Sequence, residues 1–196
     1  MVFTTPNILT LGRIGIVPVL IYLLQFPGPG SAGIAAGVFF LATITDFLDG
    51  YIARNYDMGS LLGTFLDPLA DKLIVTTALI MLAAMPRQPH VPAWIVVALV
   101  ARELVVTGLR AIAAAEGWII PAEELGKYKM VLQCLAVQGL LIHFTYFNID
   151  FFAAGMFLLW LALGLSYWSA VHYLMETRGI FARPKSAGAS RRAIAQ

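Results

Sequence analysis

The chain has 196 residues, of which 60% are hydrophobic and 12% charged, with 13 basic and 11 acidic side chains for a net charge of +2. Soluble domains carry about 25% charged residues, so this composition excludes an ordinary water-soluble globule and points to one integral membrane domain with short loops. With so little excess charge, no nucleic-acid partner is expected.

The chain opens MVFTTPNILTLGRIGIVPVLIYLLQF, without the basic start and small-residue cleavage site of a signal peptide; Arg13 lies inside the apolar run. It reads as a retained first span. Asn7 and Thr10 near its start suit helix capping, with contact to a nucleotide as the alternative. Further apolar runs of about 20 residues, enough for a ~30 Å hydrocarbon core, follow near 32–53, 62–85, 92–115, 127–147 and 151–175, after a first at 8–26. The fold class expected is therefore all-α: a polytopic membrane protein of six transmembrane helices. Pro27 to Ser31, Pro86 to Pro92 and Asn148 to Asp150 mark turns. The single cysteine, Cys134, excludes an intrachain disulfide.

Arg54, Lys127, Lys129, Arg178, Arg183, Lys185, Arg191 and Arg192 fall on the side reached after an even number of spans, and Arg87 on the other. Short cytoplasmic loops accumulate Lys and Arg, so both termini are expected in the cytoplasm. The membrane domain is expected to occupy 1–178 and a basic, disordered cytoplasmic tail 179–196, set against anionic lipid. His90 belongs to an outer loop, and His143 and His172 lie near helix ends. Trp94, Trp160, Trp168 and Tyr173 suit aromatic belts and bundle packing.

The second and third spans break the apolar pattern. On a helix, positions 46, 49, 50 and 53 share one face, as do 63, 67 and 71, so Asp46 and Asp49 point one way from one helix, and Asp67 and Asp71 from the next. A short connection between them lets the two faces meet near the cytoplasmic surface. Adjacent carboxylates in low dielectric raise one another's pKa; divalent cations remove that conflict. All-oxygen ligation without nearby His or Cys suits Mg²⁺ or Mn²⁺, and four acids sharing two ions match a clamp for phosphoryl-type displacement. Gly50, Ala53 and Gly63 leave a notch between the helices, either for a ligand or for close packing. Pro68, between two acids, removes the hydrogen bond to the Thr64 carbonyl. A cation transporter is the competing class, though transport sites favour the bilayer midplane and broken helices.

The run Asp46-x2-Asp49-Gly50-x2-Ala53-Arg54-x8-Gly63-x3-Asp67-x3-Asp71 resembles the full signature of the CDP-alcohol phosphatidyltransferases, eight positions over 26 residues. The resemblance implies a six-helix membrane enzyme, commonly a homodimer, that moves a phosphatidyl group from a CDP-linked lipid to an alcohol and releases CMP. It implies one metal on Asp46, Asp49 and Asp67, and a second on Asp46, Asp67 and Asp71. Asp71 would also be the general base. Gly50, Ala53 and Gly63 would border the cytidine, while Arg54 would either touch the diphosphate or serve as a positive-inside charge. TPNILTLGRIGIVPVL resembles a start shared with several CDP-lipid enzymes, cardiolipin synthases included, while ARELVVTGLRA and LGKYKMVLQ are more similar to the branch that uses CDP-diacylglycerol and glycerol 3-phosphate, in the inner membrane of a bacterium; that branch often has Thr where Met130 stands. Phosphatidylglycerol, serine and an inositol phosphate are the alternative acceptors. Arg102, Arg110 and Lys127 suit a phosphorylated acceptor, since a guanidinium offers bidentate bonds that a neutral alcohol does not need. The other reading leaves Lys127 a cytoplasmic charge and Arg102 ion-paired within the bundle.

Overall fold

The structure, a computed structural model, describes residues 5–26, 28–56, 61–115 and 124–181. Among these are six helices: α1 (Thr5–Leu23), α2 (Pro29–Tyr56), α3 (Leu61–Ala84), α4 (Ala93–Ala115), α5 (Glu124–Ile142) and α6 (Phe151–Phe181). At 1.5 Å per residue the 19-residue α1 is about 28 Å long. α2 begins at Pro29, which suits a first helical position because proline has no N–H to leave unpaired. α3 runs through Pro68 as one helix.

Two boundaries differ most from the sequence expectation. The fifth helix stops at Ile142 rather than 147, because His143 turns left-handed (φ 64°) and the chain enters a small hairpin. Its strands β1 (Thr145–Tyr146) and β2 (Ile149–Asp150) pair antiparallel, Thr145 with Asp150 and Tyr146 with Ile149. Phe147 and Asn148 form the turn at φ 52° and 62°, the geometry a two-residue hairpin needs to match strand twist. α6, for its part, continues to Phe181, beyond the apolar run that ends near 175; positions 182–196 of the basic tail lie outside the described residues.

The interior is built from Leu20, Leu24, Phe39, Leu79, Ile95, Leu99, Leu140 and Leu159, all essentially inaccessible. The exterior is equally apolar: Ile34, Phe40, Leu41, Val97, Leu104, Leu135, Phe157 and Trp168 are exposed. Helices apolar all round belong in lipid or in a much larger core. Phe151–Met175 of α6 is long and apolar enough to cross a membrane, and only 22% of its most apolar stretch is buried, unlike the core helix of a soluble protein. Ile14–Leu23, Pro29–Thr45, Lys72–Ala84 and Tyr128–Ile142 are shorter apolar segments.

Small residues let the helices approach. A Cβ on Gly155 of α6 would lie 2.8 Å from the Leu140 nitrogen and 3.0 Å from the Ala136 carbonyl oxygen of α5, and one on Gly139 would lie 3.1 Å from the Gly155 Cα. Polar ties cross the bundle, among them Gln138 Nε2 donating to the Ala36 carbonyl (3.1 Å) and the Tyr167 hydroxyl to the Ala98 carbonyl (3.2 Å). In apolar surroundings such groups have no water to turn to.

Candidate active site

The positions of the acidic signature fall on the C-terminal turns of α2 and the N-terminal turns of α3. The side chains of Asp46, Asp49, Gly50, Ala53, Arg54, Gly63, Asp67 and Asp71 lie outside the described residues, but the register of their helices does not. In α2 the buried face runs through Ala32, Ala35, Phe39 and Ala42; steps of three or four residues carry it to positions 46, 49 and 53. In α3 the buried face through Leu82, Ala78 and Ile74 continues back to 71, 67 and 63. The four aspartate positions thus continue, along the sequence, the rows of residues that are buried further along α2 and α3. Nearby hydroxyls are already satisfied, Thr43 Oγ1 donating to the Phe39 carbonyl (2.9 Å) and Thr45 Oγ1 to the Leu41 carbonyl (2.7 Å). Carboxylates are hard oxygen donors, the type that Mg²⁺ or Mn²⁺ takes. Elsewhere among the described residues no group of three or more His, Cys, Asp or Glu could hold a metal.

Beside this site lies a charge network that only partly matches expectation. Arg102 of α4 is buried (8% exposed). Its Nε donates to the Ser166 carbonyl of α6 at 2.7 Å and its Nη1 to Glu103 Oε1 at 2.9 Å. The guanidinium is thus engaged within the bundle, which is the ion-pairing alternative for this residue. Lys129 of α5, grouped by sequence with the cytoplasmic loop charges, is also buried and donates to Glu103 Oε1. Lys72 of α3 approaches the other carboxylate oxygen at 3.8 Å and donates to Thr107 Oγ1 of α4. Glu103 is shared by three cations from α3, α4 and α5. Because Lys72 follows Asp71 directly, the network also ties the turn carrying Asp71 to α4.

Arg110 differs from Arg102. It is exposed, with its guanidinium carbon 5.5 Å from the centre of the Tyr173 ring of α6, and among the described residues it has no carboxylate partner. Stacking orients the guanidinium and leaves its edge donors available. Lys127 falls in the first turn of α5; its side chain is outside the described residues. Tyr173 is buried, in the packing role foreseen for it, while Trp168 is largely exposed. The convergence on Glu103 had no local signal, since Lys129 and Lys72 are 26 and 31 positions away.

A family model for CDP-alcohol phosphatidyltransferase matches residues 3–168, and the chain belongs to that family. Membership makes it a transferase of phospholipid synthesis. Among its relatives, a Bacillus subtilis protein named CDP-diacylglycerol--glycerol-3-phosphate 3-phosphatidyltransferase is 37% identical over 186 residues, covering 89% of this chain and 95% of the relative. A Rickettsia bellii protein of the same name is 36% identical over 177 residues, 90% of this chain and 96% of its own. A rice protein named cardiolipin synthase (CMP-forming) is 34% identical over 88% of this chain and 57% of its own length.

Proposed function

We propose that this chain transfers the phosphatidyl group of CDP-diacylglycerol to glycerol 3-phosphate, giving phosphatidylglycerophosphate and CMP. The observation that carries the reading is the complete acidic signature, in register with the buried faces of α2 and α3, in a chain whose relatives of nearly equal length bear that name.

In this reading Asp46, Asp49 and Asp67 would hold one divalent cation and Asp46, Asp67 and Asp71 a second, Mg²⁺ or Mn²⁺. When bound, the ions neutralise the donor diphosphate and the charge developing on its leaving oxygen. Asp71 takes the proton of the acceptor hydroxyl. The freed oxygen forms a bond to the lipid-side phosphorus, the bond from that phosphorus to the CMP oxygen breaks, and CMP leaves with the electron pair. Gly50, Ala53 and Gly63 keep the inter-helical surface low enough for the cytidine, and Arg54 stands beside the diphosphate. Arg110, stacked on Tyr173 and without a carboxylate partner among the described residues, and Lys127 bind the acceptor phosphate. Arg102 acts indirectly, by holding α4 to α6 and fixing Glu103 between α3 and α5.

The same reading takes all six helices across a bacterial inner membrane, with the aspartates and both termini on the cytoplasmic side, and pairs two copies as a homodimer. The exposed apolar side chains on the helix exteriors support the membrane placement. Transfer to phosphatidylglycerol is the second reading, favoured by the likeness to the rice cardiolipin synthase. CMP release by purified protein with CDP-diacylglycerol and Mg²⁺ or Mn²⁺ separates the two when glycerol 3-phosphate and phosphatidylglycerol are offered in turn. Release with glycerol 3-phosphate alone is expected; release with phosphatidylglycerol alone would overturn the assignment.

A further inference from the structure

At the end of the bundle remote from the aspartates, three connections meet around one side chain. Arg87, between α3 and α4, is 7% exposed. Its Nη2 donates to the Phe26 carbonyl after α1 at 3.3 Å, and its guanidinium carbon lies 5.9 Å from the centre of the Phe144 ring after α5. Its Nε and Nη1 are buried and find no protein acceptor. The ion pairs of the described residues converge on Glu103 instead, so no carboxylate among them reaches Arg87. A guanidinium does not shed its proton in proteins, and a buried charge with unmet donors is destabilising.

Arg87 lines a small cleft with His90, His143, Leu82, Leu140 and Phe152. The cleft has room for about 10 Å³, enough for one water-sized group. It therefore admits a single oxygen of a ligand whose bulk remains outside. The neighbouring groups leave Arg87 as its source of positive charge. Burial first, with the charge of Arg87 adding to it, holds the His143 pKa below its ordinary value, against the raising effects of a hydrogen bond at the Gln88 backbone and of Asp150. The Asp150 carboxylate accepts from the Ala153 N–H (3.0 Å) at the start of α6. His90 Nδ1 lies 3.4 Å from Gln88 Oε1. Trp94, in the first turn of α4, is half-exposed and packs edge-on against Trp160 with ring centres 5.4 Å apart, the kind of aromatic pair that sits at headgroup level.

We propose that the cleft at Arg87 binds a phosphate group by one oxygen, at the membrane face opposite the aspartates. The phosphodiester of a phospholipid and free phosphate share this chemistry; the Trp94–Trp160 pair, of the kind that sits at headgroup level, favours the lipid. Bound there, the phosphate supplies the acceptor that the guanidinium lacks and clamps the three connections together. The site uses no residue of the transferase chemistry.

The test is direct observation of the arginine Nε–H resonances of the full chain, labelled with ¹⁵N-arginine, in a phosphate-free maltoside detergent. The Arg87 resonance is identified by its loss in Arg87→Lys and, independently, by its displacement in Phe144→Leu, which removes the facing ring. Short-chain phosphatidylcholine, inorganic phosphate and a phosphate-free glycolipid of the same chain length are titrated in turn. A saturable downfield shift with phosphatidylcholine and none with the glycolipid is the expected result. The same shift with inorganic phosphate at equal phosphorus concentration would assign a free-phosphate site. An Arg87 resonance that stays in place with both phosphate probes, or moves equally with the glycolipid, would overturn the proposal.

Discussion

At the residue scale, the cationic side chains near the aspartates divide by whether an acid already occupies them. Glu103 engages Arg102 and Lys129, both buried, and Lys72, whose side chain is 45% exposed. Removing the carboxylate by Glu103→Gln strands two buried cations, a loss of about 3 kcal/mol or more, visible as a lowered Tm in detergent. Lys72→Met removes an exposed 3.8 Å contact, and its cost should stay within about 1 kcal/mol. Equal losses in the two variants would mean that Glu103 is not the hub. Arg110 has no carboxylate partner among the described residues. Arg110→Gln should raise the KM for glycerol 3-phosphate, since a hydrogen bond to a charged group is worth about 1.5 to 3 kcal/mol, while CDP-diacylglycerol binding stays the same. A shift confined to the donor titration would assign Arg110 to the nucleotide. For the base, Asp71→Asn should lower kcat by at least about 10²-fold and leave donor affinity far less affected, which single-turnover kinetics and a binding titration resolve.

At the scale of elements, a close backbone contact fixes the spacing of α5 and α6. Gly155 sits against backbone atoms of α5 that cannot rotate away. Gly155→Ala should therefore separate α5 from α6 at a cost of about 1 to 3 kcal/mol, whereas Gly164→Ala, with no atom within 4 Å of the added carbon, should leave the Tm near that of the parent. Indistinguishable melting of the two variants would show that the contact yields without strain. The helices themselves were legible in the sequence, because apolar runs and Pro-Gly punctuation are local signals. The end of α5 was not. A run that looks helical to 147 is interrupted by His143, Phe147 and Asn148 at positive φ, and a phenylalanine in that conformation carries no warning in its composition.

For the whole molecule, the apolar exterior and the alternation of connections between two ends determine how it would lie in a bilayer. Phe147, at the tip of the hairpin, is 98% exposed, and the basic tail follows α6 at the other end. Phe147→Cys should react with a membrane-impermeant maleimide in intact spheroplasts, and Ala187→Cys only after permeabilisation, each introduced with Cys134→Ser as background. Labelling of Ala187→Cys from outside would reverse the proposed orientation. Excess EDTA should abolish CMP release, and added Mg²⁺ or Mn²⁺ should restore it; undiminished turnover in EDTA would remove the metals from the mechanism.

The number of helices, the common face of Asp46 with Asp49 and of Asp67 with Asp71, and the family to which they belong were determined by the sequence alone. Each depends on spacing along one helix, and a 3.6-residue period acts over a few positions. The tertiary structure decided what touches what across helices: Glu103 between three cations from three helices, Gly139 against Gly155, and Arg87 among three connections with its Nε and Nη1 unmet. Those pairings join residues up to dozens of positions apart. They follow from how the helices pack, which no local period encodes.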